Sequence, residues 1–352
     1  EVHVPLVTPG EFPLLYRLNL QLTARTDRYT VDTGTSSRVT SYGTNPPTIS
    51  FDGVTADGEP YFSEASYSSI NYTAGLKYQP ISDISVRASV ATAFLPPAPA
   101  QLLRNPVQNS NLIDVIDPIK GPTTDVETIA GGNPNLSPQN SRSINLGVIW
   151  EPEQELLRGL RVNAEFYKIQ QFDAIDSLTP QQIVNAGETY SHRITRDPSG
   201  NIIMIDGSLL NLYRRDSKGW DIALDYKIKM QHGSLHLSAA QSSIVDLKTQ
   251  YSATLPEYDA AGYHPVEGGA PEHKRSVSLL WGRDMWSIGW AANFIGSYKQ
   301  WGAAGGPQSI QANGGIATGD YIVVQGSDEI RSQRYHDLFF TYTFDALGLP
   351  SS

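Results

Sequence analysis

Groups able to bind a metal, move a proton or attack a carbonyl are few in this chain and poorly placed for those tasks. The seven histidines are His3, His192, His232, His236, His264, His273 and His336, and no metal-ligand spacing links them. His232 and His236 stand four apart, which is one face of a helix but not of a turn running into a strand. His336 and Asp337 are neighbours, so on a strand they point to opposite sides. There is no cysteine, which removes thiolate ligands and cysteine nucleophiles. The sequence contains no G-x-S-x-G, phosphate loop or EF-hand pattern. Asp114, Asp117, Asp125, Glu257, Asp259 and Glu267 could hold a cation or a basic substrate, but solvated loop charge is the plainer account of them. The expectation is therefore no catalytic residue, no metal and no cofactor. A formal charge of -10 and a pI near 5.2 argue against nucleic acid as a partner.

The elements that would carry any site are strands, joined alternately by a very short connection and a very long one. Residues 14–30 lead into a polar stretch at 32–65, and 66–79 turn through Pro80-Ile81-Ser82-Asp83 into 84–95. A long loop fills 96–139. The strand at 141–150 turns through Glu151-Pro152-Glu153-Gln154 into 159–170, and a third long stretch covers 172–208. Next, 209–230 turns at Gln231-His232-Gly233 into 234–246, with a fourth long loop to about 270. Finally, 273–281 turns at Gly282-Arg283-Asp284-Met285 into 286–298, and a fifth long loop reaches 333 before a strand at 334–344. This is about ten strands, with every long connection on one side, as in barrels with tight periplasmic turns and long extracellular loops. A soluble sandwich has Greek-key crossings and no reason to keep such an order.

Within the runs the period is two. In 220–230 one face reads Trp220, Ile222, Leu224, Tyr226, Ile228 and Met230, and the other Asp221, Ala223, Asp225, Lys227 and Lys229. Ile84, Val86, Ala88, Val90, Thr92 and Phe94 alternate in the same way, as do Ile144, Leu146, Val148 and Trp150. Alternation alone does not say which face meets water. The aromatics do: Tyr16, Tyr78, Trp150, Trp281, Trp286 and Phe344 fall on the apolar face at the short-turn end, as a ring at a membrane–water interface would. Phe94, Trp220 and Tyr298 fall on that face at the opposite end and form a candidate second girdle. Mean hydropathy is -0.30, and no run approaches the ~20 apolar residues of a spanning helix, whereas a tilted barrel strand needs only about 9–11 residues. The fold class read from the rows is all-β: an antiparallel up-and-down transmembrane β-barrel wall.

Three stretches then carry a family resemblance. Gly132-Asn133-Pro134-Asn135-Leu136-Ser137-Pro138-Gln139-Asn140-Ser141, followed by Ile144-Asn145-Leu146-Gly147-Val148, resembles the loop-to-strand signature of TonB-dependent outer-membrane receptors. Arg87-Ala88-Ser89-Val90-Ala91-Thr92-Ala93-Phe94-Leu95-Pro96-Pro97, with Gln101-Leu102, is similar to a second strand of that family. Asn211 with Gly219-Trp220-Asp221-Ile222-Ala223-Leu224-Asp225-Tyr226 resembles a third. Together they cover most of 66–345. The resemblance implies a receptor of a Gram-negative outer membrane that takes up a scarce nutrient such as a siderophore, vitamin or oligosaccharide. Its implied partners are outer-membrane lipid, the nutrient, and the TonB system acting through a plug. The family pattern has a 22-stranded barrel behind a plug, so residues 1–352 are expected to be one partial barrel domain without a plug. No export signal is visible in the sequence, which is expected to begin after one or within a longer protein.

Local chemistry predicts further features. Pro96, Pro97 and Pro99 must end the strand that begins at Ile84, since proline cannot donate to a ladder. Thr179 with Pro180 predicts a short capped helix over Leu178–Asn185, and Asp197-Pro198-Ser199-Gly200 predicts a hairpin between Ile194 and Ile203. Arg17, Arg25, Lys77, Arg87, Glu165, Asp221, Asp225, Lys227, Lys229 and Lys274 would face the lumen and pair with one another or with a plug. Lys168 breaks the pattern, because parity from Val162, Ala164 and Phe166 aims it at lipid near the long-loop end. For substrate contact the best candidates are the loop residues Tyr258, Tyr263, His264, Gln300 and Trp301. Two rivals stand beside this reading: a self-contained ten-stranded outer-membrane barrel enzyme, and a soluble β-rich binding protein with a second layer over the apolar face.

Overall fold

Runs of period two leave every second side chain on one face, so they pair edge to edge into a sheet with one apolar and one polar side. The structure, a computed structural model, describes residues 2–7, 13–31, 39–41, 48–50, 65–102, 108–263, 269–299 and 326–343. In chain order, β1 (Val2–Val7) and β2 (Arg17–Val31) precede a small pair, β3 (Val39–Ser41) and β4 (Thr48–Ser50). The hairpin β5 (Ala65–Ile81) and β6 (Ile84–Leu95) leads through the short helix α1 (Pro99–Leu102) to β7 (Gln108–Asp117) and β8 (Gly121–Ile129). β9 (Gln139–Trp150) and β10 (Leu160–Asp176) follow, then helix α2 (Pro180–Asn185), β11 (Ile194–Arg196) and β12 (Ile202–Asp206). β13 (Leu210–Met230) and β14 (Gly233–Gln250) come next, with β15 (Tyr258–Asp259) beside β14. The chain ends in β16 (His273–Arg283), β17 (Trp286–Ile295), the short ladder β18 (Tyr298–Lys299) and β19 (Glu329–Ile330), and β20 (Gln333–Tyr342).

The wall is one antiparallel sheet in the order β1-β2-β5-β6-β9-β10-β13-β14-β16-β17-β20. The ten expected strands are all present, in sequence order and with short and long connections alternating. An eleventh, β1, was not legible in the rows because Pro5 interrupts its pattern; it pairs with β2 through a register shift between Pro5 and Val7. Proline is tolerated there because β1 is an edge strand. Among the described residues no pairing joins β20 back to β1, so the wall is an open curved sheet. β13 has 21 residues and β14 has 18, well beyond the 9–11 needed to cross a bilayer, so both rise past the apolar belt.

Curvature identifies the inner face. Two concavities, of about 350 and 300 Å³, open on the polar side, the first against Gln21, Lys77, Arg87, Asn145 and Glu165, the second against Arg161, Asn163 and Asp225. We take the polar face, which holds these clefts, as the inner, concave side of the wall and the apolar face as its outer, convex side. Nothing among the described residues covers the convex side: Ile222 and Val148 are each 46% exposed in mid-strand, and Leu338 is 80% exposed. A water-soluble monomer rarely exposes a continuous apolar surface beyond a few hundred Å². The described residues form no second layer of the kind a soluble β-rich protein would need.

The buried core lies elsewhere, in a panel at the long-loop end. β7 and β8 from one long connection join β11 and β12 from the next in a four-stranded sheet ordered β11-β12-β8-β7. The link between the two connections is parallel, Met204 to Glu127 and Ile205 to Thr128. Val115, Val126, Ile183, Val184, Ile202, Ile205, Leu210 and Leu212 close into one cluster under helix α2. The predicted helix is present with a full capping box: Gln182 N donates to Thr179 Oγ1, and Thr179 N donates to Gln182 Oε1. The predicted hairpin is present as well, but it does not project alone. It is the edge of this panel.

Candidate functional site

The signature residues do structural work at the junction between wall and panel. Asn133 Nδ2 donates to the Leu209 carbonyl at 3.0 Å, and its Oδ1 accepts from Asn135 N at 2.9 Å. Asn211 accepts from Ser137 N at 2.8 Å and donates to the carbonyls of Ser137 and Asp173, both at 2.8 Å. A primary amide offers two donors and an acceptor: Asn133 Nδ2 and the Asn211–Ser137 pair tie the loop before β9 to the start of β13, Asn133 Oδ1 closes a turn within that loop, and Asn211 also reaches β10. Gly219 is required for close approach: a Cβ there would stand 2.4 Å from the Ser243 carbonyl oxygen and 2.5 Å from the Tyr167 hydroxyl, beside a register shift after Lys218. Gly147 leaves room for Arg87 to reach across its own strand neighbour to Glu165, at 4.0 Å.

Several charges expected to face the lumen pair within the wall. Arg25 meets Asp27 at 2.6 Å, and Asp225 meets His236 Nε2 at 2.6 Å and Lys227 at 3.9 Å. Lys168 falls in one row with Lys218, which is bonded to Asp246 at 3.0 Å. Its anomaly is resolved as a boundary, because the apolar side of β10, β13 and β14 ends at that level and charge begins.

In the panel, Asp117 is fully buried and held by Arg196 through two hydrogen bonds of 2.5 and 3.1 Å. This guanidinium fork holds the Asp117 carboxyl below the usual carboxylate range. Asp117 is therefore already neutralised and is not an open cation ligand. Arg193, also buried, donates to the carbonyls of Asp206 and Ser208. Gln181 acts as a side-chain strand, accepting from Ile116 N and donating to Ile116 O. A cleft of about 360 Å³ opens beside the pair, lined by Asp117, Ile119, Val184, Glu188, Ile194 and Arg196. Apart from Asp117, which the sequence offered as a possible ligand for a cation or basic substrate, none of these lining residues was picked out from sequence, because their grouping depends on strand pairing between two separate loops.

Of the loop residues singled out for substrate contact, Tyr258 and Tyr263 are described; His264, Gln300 and Trp301 lie outside the described residues. Tyr258 is only 9% exposed, and its hydroxyl shares a hydrogen bond of 2.9 Å with Tyr251. Burial pushes the Tyr251 hydroxyl above the usual phenol range, and that hydroxyl also accepts from Gln182 of helix α2. Tyr263 bridges to Lys299, whose Nζ stands 5.9 Å from the ring centroid and whose N–H donates to the Gly262 carbonyl. The contact among the described residues is between Tyr263 and Lys299. Among the described residues no group of three His, Asp or Glu side chains is placed to hold a metal.

Of the interface aromatics, Tyr16, Tyr78, Trp150, Trp281 and Trp286 stand at the short-turn end, and Phe344 lies outside the described residues. Trp281 and Trp286 pack edge to face at 4.5 Å, and Tyr342, not singled out from sequence, pairs in register with Trp286. At the other end Trp220 packs on Phe166 at 4.9 Å and Phe94 lies 6.0 Å from Tyr29. Tyr298 is off the wall, paired with Ile330 in its own short ladder.

A meander with an uncovered apolar convex face, a polar concave face and folded long loops is the wall of a transmembrane β-barrel. The family model for TonB dependent receptor-like β-barrels matches residues 9–349, and the chain belongs to that family. Among solved structures, a variant of the ferric enterobactin receptor of Pseudomonas aeruginosa is similar over 98% of this chain and 45% of its own length, at 14% identity and TM-score 0.54. A second variant of that receptor, in complex with enterobactin, matches at 13% identity over 98% of this chain and 46% of its own, with TM-score 0.53. The siderophore receptor of Acinetobacter baumannii is similar over 98% of this chain and 47% of its own, at 9% identity and TM-score 0.52. At such identities the likeness is one of fold. The chain spans about half the length of these structures. No curated protein matches it.

Proposed function

We propose that this chain is part of the barrel of a receptor and transporter in the outer membrane of a Gram-negative bacterium, and that it is not an enzyme. The observation that carries the reading is the convex apolar face, left bare on most wall strands and bounded by aromatics at one end and charge at the other. Family membership supports energy coupling to the TonB system, which would act through a plug outside this chain. The concave polar face, with Lys77, Arg87, Glu165 and Asp225, is the surface such a plug would contact.

The substrate reading is a scarce nutrient held at the long-loop end, with Tyr258, Tyr263, His264, Gln300 and Trp301 as contacts. The meeting of Tyr263 with Lys299 supports grouping these two segments at one place. Ferric siderophores are the first class to test, since both kinds of solved neighbour named above are siderophore receptors. The experiment is tryptophan fluorescence of the receptor in detergent, titrated with ferric siderophores, a corrinoid vitamin and oligosaccharides. One class should bind saturably, with the response reduced by Tyr263→Ala. Absence of binding to every class, or hydrolysis of a peptide panel by the purified protein, would overturn the transporter reading.

A further inference from the structure

On β16, β17 and β20 the convex face carries a row that does not fit a hydrocarbon surface. Register aligns Arg275 with Phe294 and Phe294 with Arg334. Both guanidinium groups lean over the same ring, at 5.3 and 5.8 Å from its centroid. The rows beneath are mostly apolar, Val277 with Ala292 and His336 and then Leu279 with Trp290 and Leu338, so the arginines share the lipid-facing parity. His336 is on the same side and stacks on Trp290 at 5.8 Å. Phe294 is the ninth residue of β17 counted from Trp286, which puts the row where a tilted strand of about 9–11 residues finishes crossing.

Two other cations toward the long-loop end have anions within the fold. Lys218 is bonded to Asp246 at 3.0 Å and Lys248 to Glu257 at 2.9 Å. Arg275 and Arg334 form no ion pair among the described residues; only the Phe294 ring separates them. Two cations held at the edge of the hydrocarbon need a counter-charge, and arginine matches the oxygens of a phosphate in a fork that lysine cannot make. The clamp faces away from the lumen, so a nutrient passing through the barrel would not meet it.

We propose that Arg275 and Arg334, spaced by Phe294, bind the phosphate of an anionic lipid in the leaflet at the long-loop end. The inference rests on the membrane reading given above and adds a lipid-specific site to it. The test reconstitutes the protein into phosphatidylcholine vesicles and measures immobilisation of spin-labelled phosphatidic acid against spin-labelled diacylglycerol. Two cations at a membrane surface predict a preference for the phosphorylated lipid of about 30-fold. Arg275→Gln with Arg334→Gln should bring the two lipids to parity, Phe294→Leu should lower the preference several-fold, and the off-site Lys248→Gln should leave it intact.

A protein that inserts but shows no preference, or a double variant that keeps it, overturns the lipid site while leaving the membrane reading standing. Loss of the preference on adding inorganic phosphate would assign the clamp to a free anion and overturn the lipid as occupant. Failure to insert into neutral vesicles, read by protease protection of the wall, would overturn the membrane reading and the site with it.

Discussion

Ile222 and Ile205 sit fewer than twenty residues apart in the chain, each within a strand, yet the first is 46% exposed and the second fully buried. Ile222 belongs to the wall and Ile205 to the loop panel. The panel follows the rule of water-soluble proteins, with apolar side chains inside under a helix and a sheet. The wall inverts it, holding its polar side chains on the concave face and its apolar ones outward. The same residue type therefore does opposite work in the two regions, and only its surroundings tell them apart. Substitutions chosen in pairs across the two regions can break or sharpen that contrast.

The largest effect is expected in the panel. Ile205→Ala should cost about 2–5 kcal/mol of panel stability, seen as early proteolysis of the long loops while the wall still resists heat in detergent. If Ile222→Ala cost as much, the contrast would fail, because an outward wall residue faces lipid and leaves no cavity. In the wall, Leu224→Arg should cost roughly 2–4 kcal/mol near mid-membrane in a refolding assay in vesicles, and Asp225→Asn, on the opposite face, under about 1 kcal/mol. Equal tolerance at 224 and 225 would reverse the assignment of faces.

At the junction, Asn211→Ala removes three hydrogen bonds and should loosen the loop before β9 by about 1–3 kcal/mol. Hydrogen exchange at Ser137 would report it. A smaller, pH-dependent effect should come from Asp117. Its folded-state carboxyl is held below the ordinary range by Arg196, so its contribution is fully present at neutral pH and is lost as pH falls below about 4, toward its lowered value. Asp117→Asn should flatten the acid limb of panel unfolding, measured by the same proteolysis.

The wall was legible in the rows because its information is local. Period-two alternation, proline at strand ends and aromatic position all act within a strand or a tight turn, and only β1, with Pro5 in it, escaped that reading. Thr179-Pro180 and Asp197-Gly200 were legible for the same reason. The panel was not, because the parallel pairing of Met204 with Glu127 spans more than seventy residues and leaves no periodic mark. The candidate site shares that difficulty. Tyr258 reads as an exposed loop aromatic but is buried against Tyr251, and Asp117 reads as a free carboxylate until Arg196 is brought to it from another loop.

The parallel joint between β8 and β12 also has a mechanical consequence. It staples together two stretches of chain that enter and leave the wall at different strands, so a single cut at the tip near Ile119, which is 76% exposed, leaves both fragments hydrogen-bonded in place.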